Sequence, residues 1–300
     1  MDVVTKWNSR LFRTWPNSAN WLVLAQRIYM KASAVVKKDR VATTIFGSTM
    51  DCKIDDNIDR RIYFFGVWEP NLTHFIKHVI KQGDIVVDVG ANIGYFTLLM
   101  SRLVQKDGSV VAIEASTTTF NKLAKNIERN HCANVISRHV AVSDHKGEIK
   151  LFYSKYGDKD TGKISTVEQP GAAVVTSVPC DTLMSILASA VPIDRVSFLK
   201  IDIEGAEAPV LSEIIENKDR FSPRLVVVSE IADRNIHFID AFANNGFKCF
   251  YLENDYAFDA SMGLTGREEG EFGRLQPLEN KGERPPTADL VFVYERSVKS

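Results

Sequence analysis

The sequence predicts an α/β domain built on a doubly wound, mostly parallel sheet. Strand-like apolar runs alternate with helix-length segments from about residue 85 to residue 244. Two of those runs, Ile85-Val86-Val87 and Val226-Val227-Val228, are continuously apolar, as strands are when helices cover both faces. The first run leads into Asp88-Val89-Gly90-Ala91-Asn92-Ile93-Gly94, an acidic residue and two glycines before an apolar helix. A strand that turns at glycines straight into a helix is how such folds hold a nucleotide-like ligand.

Residues 1–65 read as an N-terminal extension and 66–300 as the main domain. Within the extension, apolar residues fall at helical spacing over 19–36, and short strands follow at 41–46 and 50–54. Gln26, Arg27 and Lys31 interrupt the first segment, so it is not a transmembrane span, and no small-residue cleavage pattern follows it. It reads as an amphipathic helix packed on the domain. The alternative is docking to a membrane surface, with Lys37, Lys38 and Arg40 behind it.

A helix over 72–81 stops at Gly83. Strands then follow at 85–89, 110–114, 135–142, 197–204 and 225–231, with helices at 94–103, 117–130, 208–215 and 236–244. Two extended segments, 148–153 and 173–178, flank the polar stretch 154–171, which reads as an inserted hairpin or a lid. Segments 248–253 and 289–294 form an antiparallel closing pair around a second polar stretch, 254–288.

The chain is 45% apolar and 25% charged, as soluble globular proteins are. A net charge of −1 gives no global attraction to nucleic acid or to anionic lipid. Cys52, Cys132, Cys180 and Cys249 form no C-x-x-C pair, so the expectation is reduced thiols in a cytoplasmic protein, with no zinc site.

The glycine turn is not the dinucleotide fingerprint, because Asn92 stands where G-x-G-x-x-G needs its middle glycine. A ligand with an amino acid end and an adenosine end fits better than a diphosphate, and S-adenosylmethionine is such a ligand. Gly90 supplies the tight turn, and Gly94 lets the helix approach its strand. The free N–H groups at the helix start meet an acidic ligand group. Glu114 ends the second strand about twenty residues on, where a carboxylate binds ribose hydroxyls.

The fourth strand carries Lys200, Asp202, Glu204 and Glu207 toward the open end of the sheet, where Lys200 pairs with a carboxylate. Glu230 ends the fifth strand beside it, and His237 opens the next helical region. Asp202 and Glu230 could hold Mg²⁺ or Ca²⁺, or orient a substrate hydroxyl; no metal is the expectation. His74 and His78 lie one turn apart without a further ligand.

These residues resemble the FkbM-type S-adenosylmethionine-dependent methyltransferases. The resemblance rests on Trp68-Glu69-Pro70, on the run from Gly83-Asp84 through VVDVGANIGYFT, and on Ala115, Asn126 and Asn130. It continues through Ala141-Val142-Ser143-Asp144, Gly147, Lys200 to Glu207, Glu230 and the closing Asp289-Leu290-Val291-Phe292-Val293. It implies a Rossmann-like class I methyltransferase sheet with an antiparallel C-terminal strand. It also implies methyl transfer, usually to a hydroxyl oxygen of a sugar, glycan or natural product.

Carried over, Asp88, Gly90, Ala91, Asn92 and Gly94 form the cofactor turn, and Glu114 holds the ribose. Ala141 and Val142 lie against the adenine, Asp202 lies near the methionine end, and Glu69 is a further contact. Asp202, Glu204, Glu230 and His237 are the candidates for catalysis. The expected acceptor is a small molecule or glycan, not nucleic acid. A nicotinamide-dependent oxidoreductase and a cofactor-binding scaffold are the competing readings.

Overall fold

The computed structural model describes residues 39–153, 164–165, 173–203, 206–231, 235–253, 273–278 and 288–296. The chain divides into two compact units, residues 1–76 with 254–274 and residues 77–253 with 275–300.

In the first unit, β1 (Asp39–Thr43) pairs antiparallel with β2 (Thr49–Lys53). Helix α1 (Asn57–Phe65) follows, with Asp56 capping it by accepting from the Asp59 amide at 2.8 Å. Gly66 closes α1 at φ 75°, donating to the Ile62 carbonyl. The sequence reading omitted this helix. Its last four residues, Ile62-Tyr63-Phe64-Phe65, are all buried, so they present a solid apolar block rather than a helical stripe. Helix α2 (Pro70–Val79) begins with proline at its first position, where no amide is needed.

The second unit is built on an eight-stranded sheet. Its strands, in chain order, are β3 (Ile85–Val89), β4 (Ser109–Glu114), β5 (Val135–His139), β10 (Val196–Ile201), β11 (Arg224–Glu230), β12 (Lys248–Glu253), β13 (Gln276–Pro277) and β14 (Ala288–Glu295). In space they run β13-β12-β14-β11-β10-β3-β4-β5. The five from β11 to β5 are parallel, and β14 pairs antiparallel with both β11 and β12. This is the expected doubly wound, mostly parallel sheet, with a reversed closing strand. All five residues of β3 are buried. The core beside it joins Val87, Val89, Leu199, Ile201, Val227 and Phe292. Stacked rings of Phe242 and Phe292, 4.0 Å apart, tie the reversed strand to helix α7 (Phe238–Asn244).

The remaining helices are α3 (Tyr95–Val104), α4 (Thr117–Arg129), α5 (Leu183–Ala188) and α6 (Glu207–Glu216). The expected single strand over 135–142 is broken at Val140. Residues Ala141–Val142 form β6 of a second sheet, with β7 (Gly147–Tyr153), β8 (Ile164–Ser165) and β9 (Ala173–Asp181) in the order β6-β9-β7-β8. The pairing of β7 with β9 is the antiparallel hairpin read from the sequence. Apart from 164–165, 273–278 and 288, the two polar segments read as loops or lids lie outside the described residues. The amphipathic segment 19–36 also lies outside them. No described helix is long and apolar enough to cross a membrane.

Candidate active site

The strand order reverses at β3, which has β4 on one side and β10 on the other. In open α/β sheets a ligand crevice opens outside the carboxyl ends at such a switch. Beyond the last residue of β10, the Asp202 amide donates to the Val89 carbonyl at 3.0 Å, so the two strand ends stay joined one residue further. Gly90 then turns the chain at φ 77°. A Cβ at Gly90 would fall on the Asp202 carbonyl oxygen, so backbone packs on backbone where only glycine fits.

The turn is held together by its own amides. Gly90 and Ala91 both donate to the Ile113 carbonyl at 2.9 Å, Asn92 donates to Glu114 Oε2 at 2.9 Å, and Gly94 donates to the Ala91 carbonyl. These four N–H groups are therefore spent within the turn itself. Asn92 takes φ 50°, a left-handed conformation that asparagine tolerates.

Gly94 caps α3 at φ 95°, and a Cβ there would meet Leu123 Cδ1 at 2.7 Å. Its missing side chain thus makes room for α4, not for the strand as expected. From α4 the fully buried Asn126 donates its amide to the Ile93 carbonyl at 2.8 Å and braces the turn from behind. Asn126 carries the resemblance but no local pattern marks it as a brace; its partner lies 33 positions away.

Glu114, the last residue of β4, has one carboxylate oxygen on the Asn92 amide and the other on the Ser116 amide at 2.8 Å. Protein atoms enclose the carboxyl group, although the residue keeps some exposure to solvent. Burial pushes its pKa up to about 7, against the two N–H donors, which pull it down; Asp88 and Asp202 push it up further. A carboxylate offers about four acceptor positions, and two are used here, which leaves two for the hydroxyls of a diol. His139 pairs with Glu114 across β4 and β5. Its Nε2 lies 3.1 Å from the Ala115 carbonyl, which fixes that nitrogen as a donor, and its ring stacks on Phe120.

Asp88 is buried on β3, opposite Lys200 of β10. Its Oδ2 accepts from the Thr97 hydroxyl at 2.6 Å, while Oδ1 has no hydrogen-bond partner. Burial raises its pKa, and the Lys200 charge and the Thr97 hydrogen bond oppose the rise. The Lys200 ammonium donates to Asp202 Oδ2 at 3.1 Å. An orphaned buried carboxylate oxygen and two open acceptor positions on Glu114 together fit a cationic ligand carrying a diol.

The other expected residues are placed as follows. Ala141 and Val142 are buried in β6, and Ala115 packs against the small apolar cluster that contains Ala141. Register sets Ile201 beside Ser229, so Asp202 and Glu230 follow on neighbouring strands; Glu230 is exposed. His237 is exposed, its ring against Phe238 at 4.5 Å. Glu204 lies outside the described residues. Glu207 is buried in the first turn of α6 and accepts from Asn235 at 3.2 Å. Glu69 belongs to the first compact unit, buried at φ 42° with its carbonyl on the Thr73 amide. Among the described residues no three His, Cys, Asp or Glu side chains cluster as a metal site.

The family model described as Methyltransferase FkbM domain matches residues 88–251, more than half of the chain. The chain belongs to the FkbM methyltransferase family. Among its relatives, Methyltransferase 1 of Beauveria bassiana (strain ARSEF 2860) is 29% identical over 143 residues, covering 43% of this chain and 57% of that protein. Methyltransferase sdnD of Sordaria araneosa is 27% identical over 163 residues, covering 46% and 62%. The match therefore spans less than two thirds of either relative.

Solved structures are more distant. An S-adenosylmethionine-dependent O-methyltransferase from Thermotoga maritima is 13% identical, with TM-score 0.45, covering 87% of this chain and 79% of that one. M. jannaschii TYW2 in complex with AdoMet is 15% identical, with TM-score 0.43, covering 86% and 85%.

Proposed function

We propose that this chain transfers a methyl group from S-adenosylmethionine to a hydroxyl oxygen of a small-molecule or glycan acceptor. The observation that carries the reading is Glu114. Its carboxylate is anchored by two backbone amides at the end of β4, with acceptor capacity left for a ribose diol. Membership of a methyltransferase family supports it. A nicotinamide-dependent oxidoreductase fits less well, because Asn92 stands where the dinucleotide turn needs its middle glycine.

In this reading Gly90, Ala91, Asn92 and Gly94 shape the cofactor turn, Glu114 holds the ribose, and Ala141 and Val142 border the adenine. Asp88 and Asp202 face the methionine end. Bound cofactor supplies an activated methyl on a sulfonium, so the protein's task is to align an acceptor oxygen and take its proton. Asp202 is tied to Lys200 and suits the electrostatic part of that task. Glu230 and His237, both exposed, remain as proton acceptors, with Glu204 a further candidate. The test is mass spectrometry of the protein incubated with methyl-labelled cofactor and pools of glycans and small hydroxylated compounds. Labelled methyl ethers support the proposal; label on nitrogen or carbon, or no transfer from bound cofactor, overturns it. Repeating the assay with a chelator separates metal-assisted from metal-free deprotonation.

A further inference from the structure

We propose that Lys200 is a positioning residue: its ammonium holds one oxygen of the Asp202 carboxylate, so that the other is presented to the positively charged methionine end of the cofactor. The inference rests on the reading of Asp202 as a cofactor contact.

Lys200 sits inside β10, a strand in the middle of the sheet, and is 4% exposed. A cation there is costly unless it is paired. Its ammonium lies 3.1 Å from Asp202 Oδ2 and 5.1 Å from the centre of the Phe96 ring. Across the register stands Asp88, whose Oδ1 has no partner and whose carboxyl group the Lys200 charge holds toward ionisation against burial.

The pair is asymmetric. The lysine side chain is 5% exposed and the aspartate side chain 35%, so the cation lies inside and the carboxylate faces the opening. Asp202 itself lies past the end of β10, where its backbone is held by its amide on Val89. Without the ammonium, its carboxylate would be free to rotate between solvent and crevice. With it, Oδ2 is committed and Oδ1 is left open. A purely packing lysine would need only its methylene stem, and methionine would replace it.

The test is a double-mutant cycle read by calorimetry with S-adenosylmethionine as the probe, on full-length protein whose folding is checked by circular dichroism. Asp202→Asn should weaken binding about tenfold, the loss of one charge-assisted contact. Lys200→Met should weaken it by about three- to tenfold, and the double variant should bind within about twofold of the weaker single variant. A packing role would not produce this non-additivity. Losses that multiply, or a folded Lys200→Met protein of wild-type affinity, overturn the proposal while leaving Asp202 in the site. Unchanged affinity in Asp202→Asn overturns both the proposal and the contact on which it rests. Should Lys200→Met not fold, Lys200→Gln, which keeps a donor without the charge, takes its place in the cycle.

Discussion

Cofactor affinity should rise with pH, and Glu114 sets the range. Its carboxyl group titrates at about 7, because burial outweighs the two amides that favour the ionised form. Two ribose hydroxyls can both donate only if the group is a carboxylate, since the neutral acid gives up one of its acceptor positions to its own proton. Apparent affinity then scales with the ionised fraction, about a tenth at pH 6 and about nine tenths at pH 8. The expected gain from pH 6 to pH 8 is therefore roughly tenfold.

Calorimetry in two buffers of different ionisation enthalpy measures both the affinity and the proton released on binding. Glu114→Gln is the control, because it removes this titration and keeps the side chain's shape. Affinity independent of pH in the wild type, or a pH dependence that survives in Glu114→Gln, would refute the reasoning. The same shift acts on stability with a definite sign. A folded pKa above the unfolded value of 4.5 means that stability is greatest below about pH 4.5 and is lost as pH rises through about 7. The loss for the free protein is at most about 3 kcal/mol, less whatever solvent reaching the carboxyl group recovers.

Three further outcomes follow from the geometry. Gly90→Ala should lower stability by more than about 2 kcal/mol in thermal unfolding and weaken cofactor binding with it, because the new Cβ displaces the Asp202 backbone. Thr97→Val should cost about 1–3 kcal/mol, measured by urea unfolding, since it strips the buried Asp88 carboxyl group of its hydrogen bond. Glu213→Ala should destabilise by about 1 kcal/mol with no change in cofactor affinity, because its carboxylate accepts from the Leu183 and Met184 amides and caps α5 from the neighbouring helix.

What the sequence made legible was what neighbouring residues decide together. The apolar run into Asp88 and the glycines placed β3 and its turn, and the carboxylate ending the next strand placed Glu114. Lys200 was recognisable as a paired cation because a charge inside a central strand is too costly to stand alone. Long-range partners were not legible. Nothing near Asn126 in sequence says that its amide meets Ile93, and nothing near Glu213 says that it caps another helix. The role of Gly94 was misassigned for the same reason, since the atom it makes way for belongs to Leu123. The break at Val140 escaped notice because 140–142 stays apolar while the chain changes sheets.

The Ile113 carbonyl, which accepts from both Gly90 and Ala91, has a kinetic consequence. Amides committed to a neighbouring strand exchange with solvent only when the sheet itself opens, so this turn should resist hydrogen exchange as β3 and β4 do. A cradle that rigid has little entropy left to lose when a ligand arrives. The cofactor should meet a surface already in its bound shape.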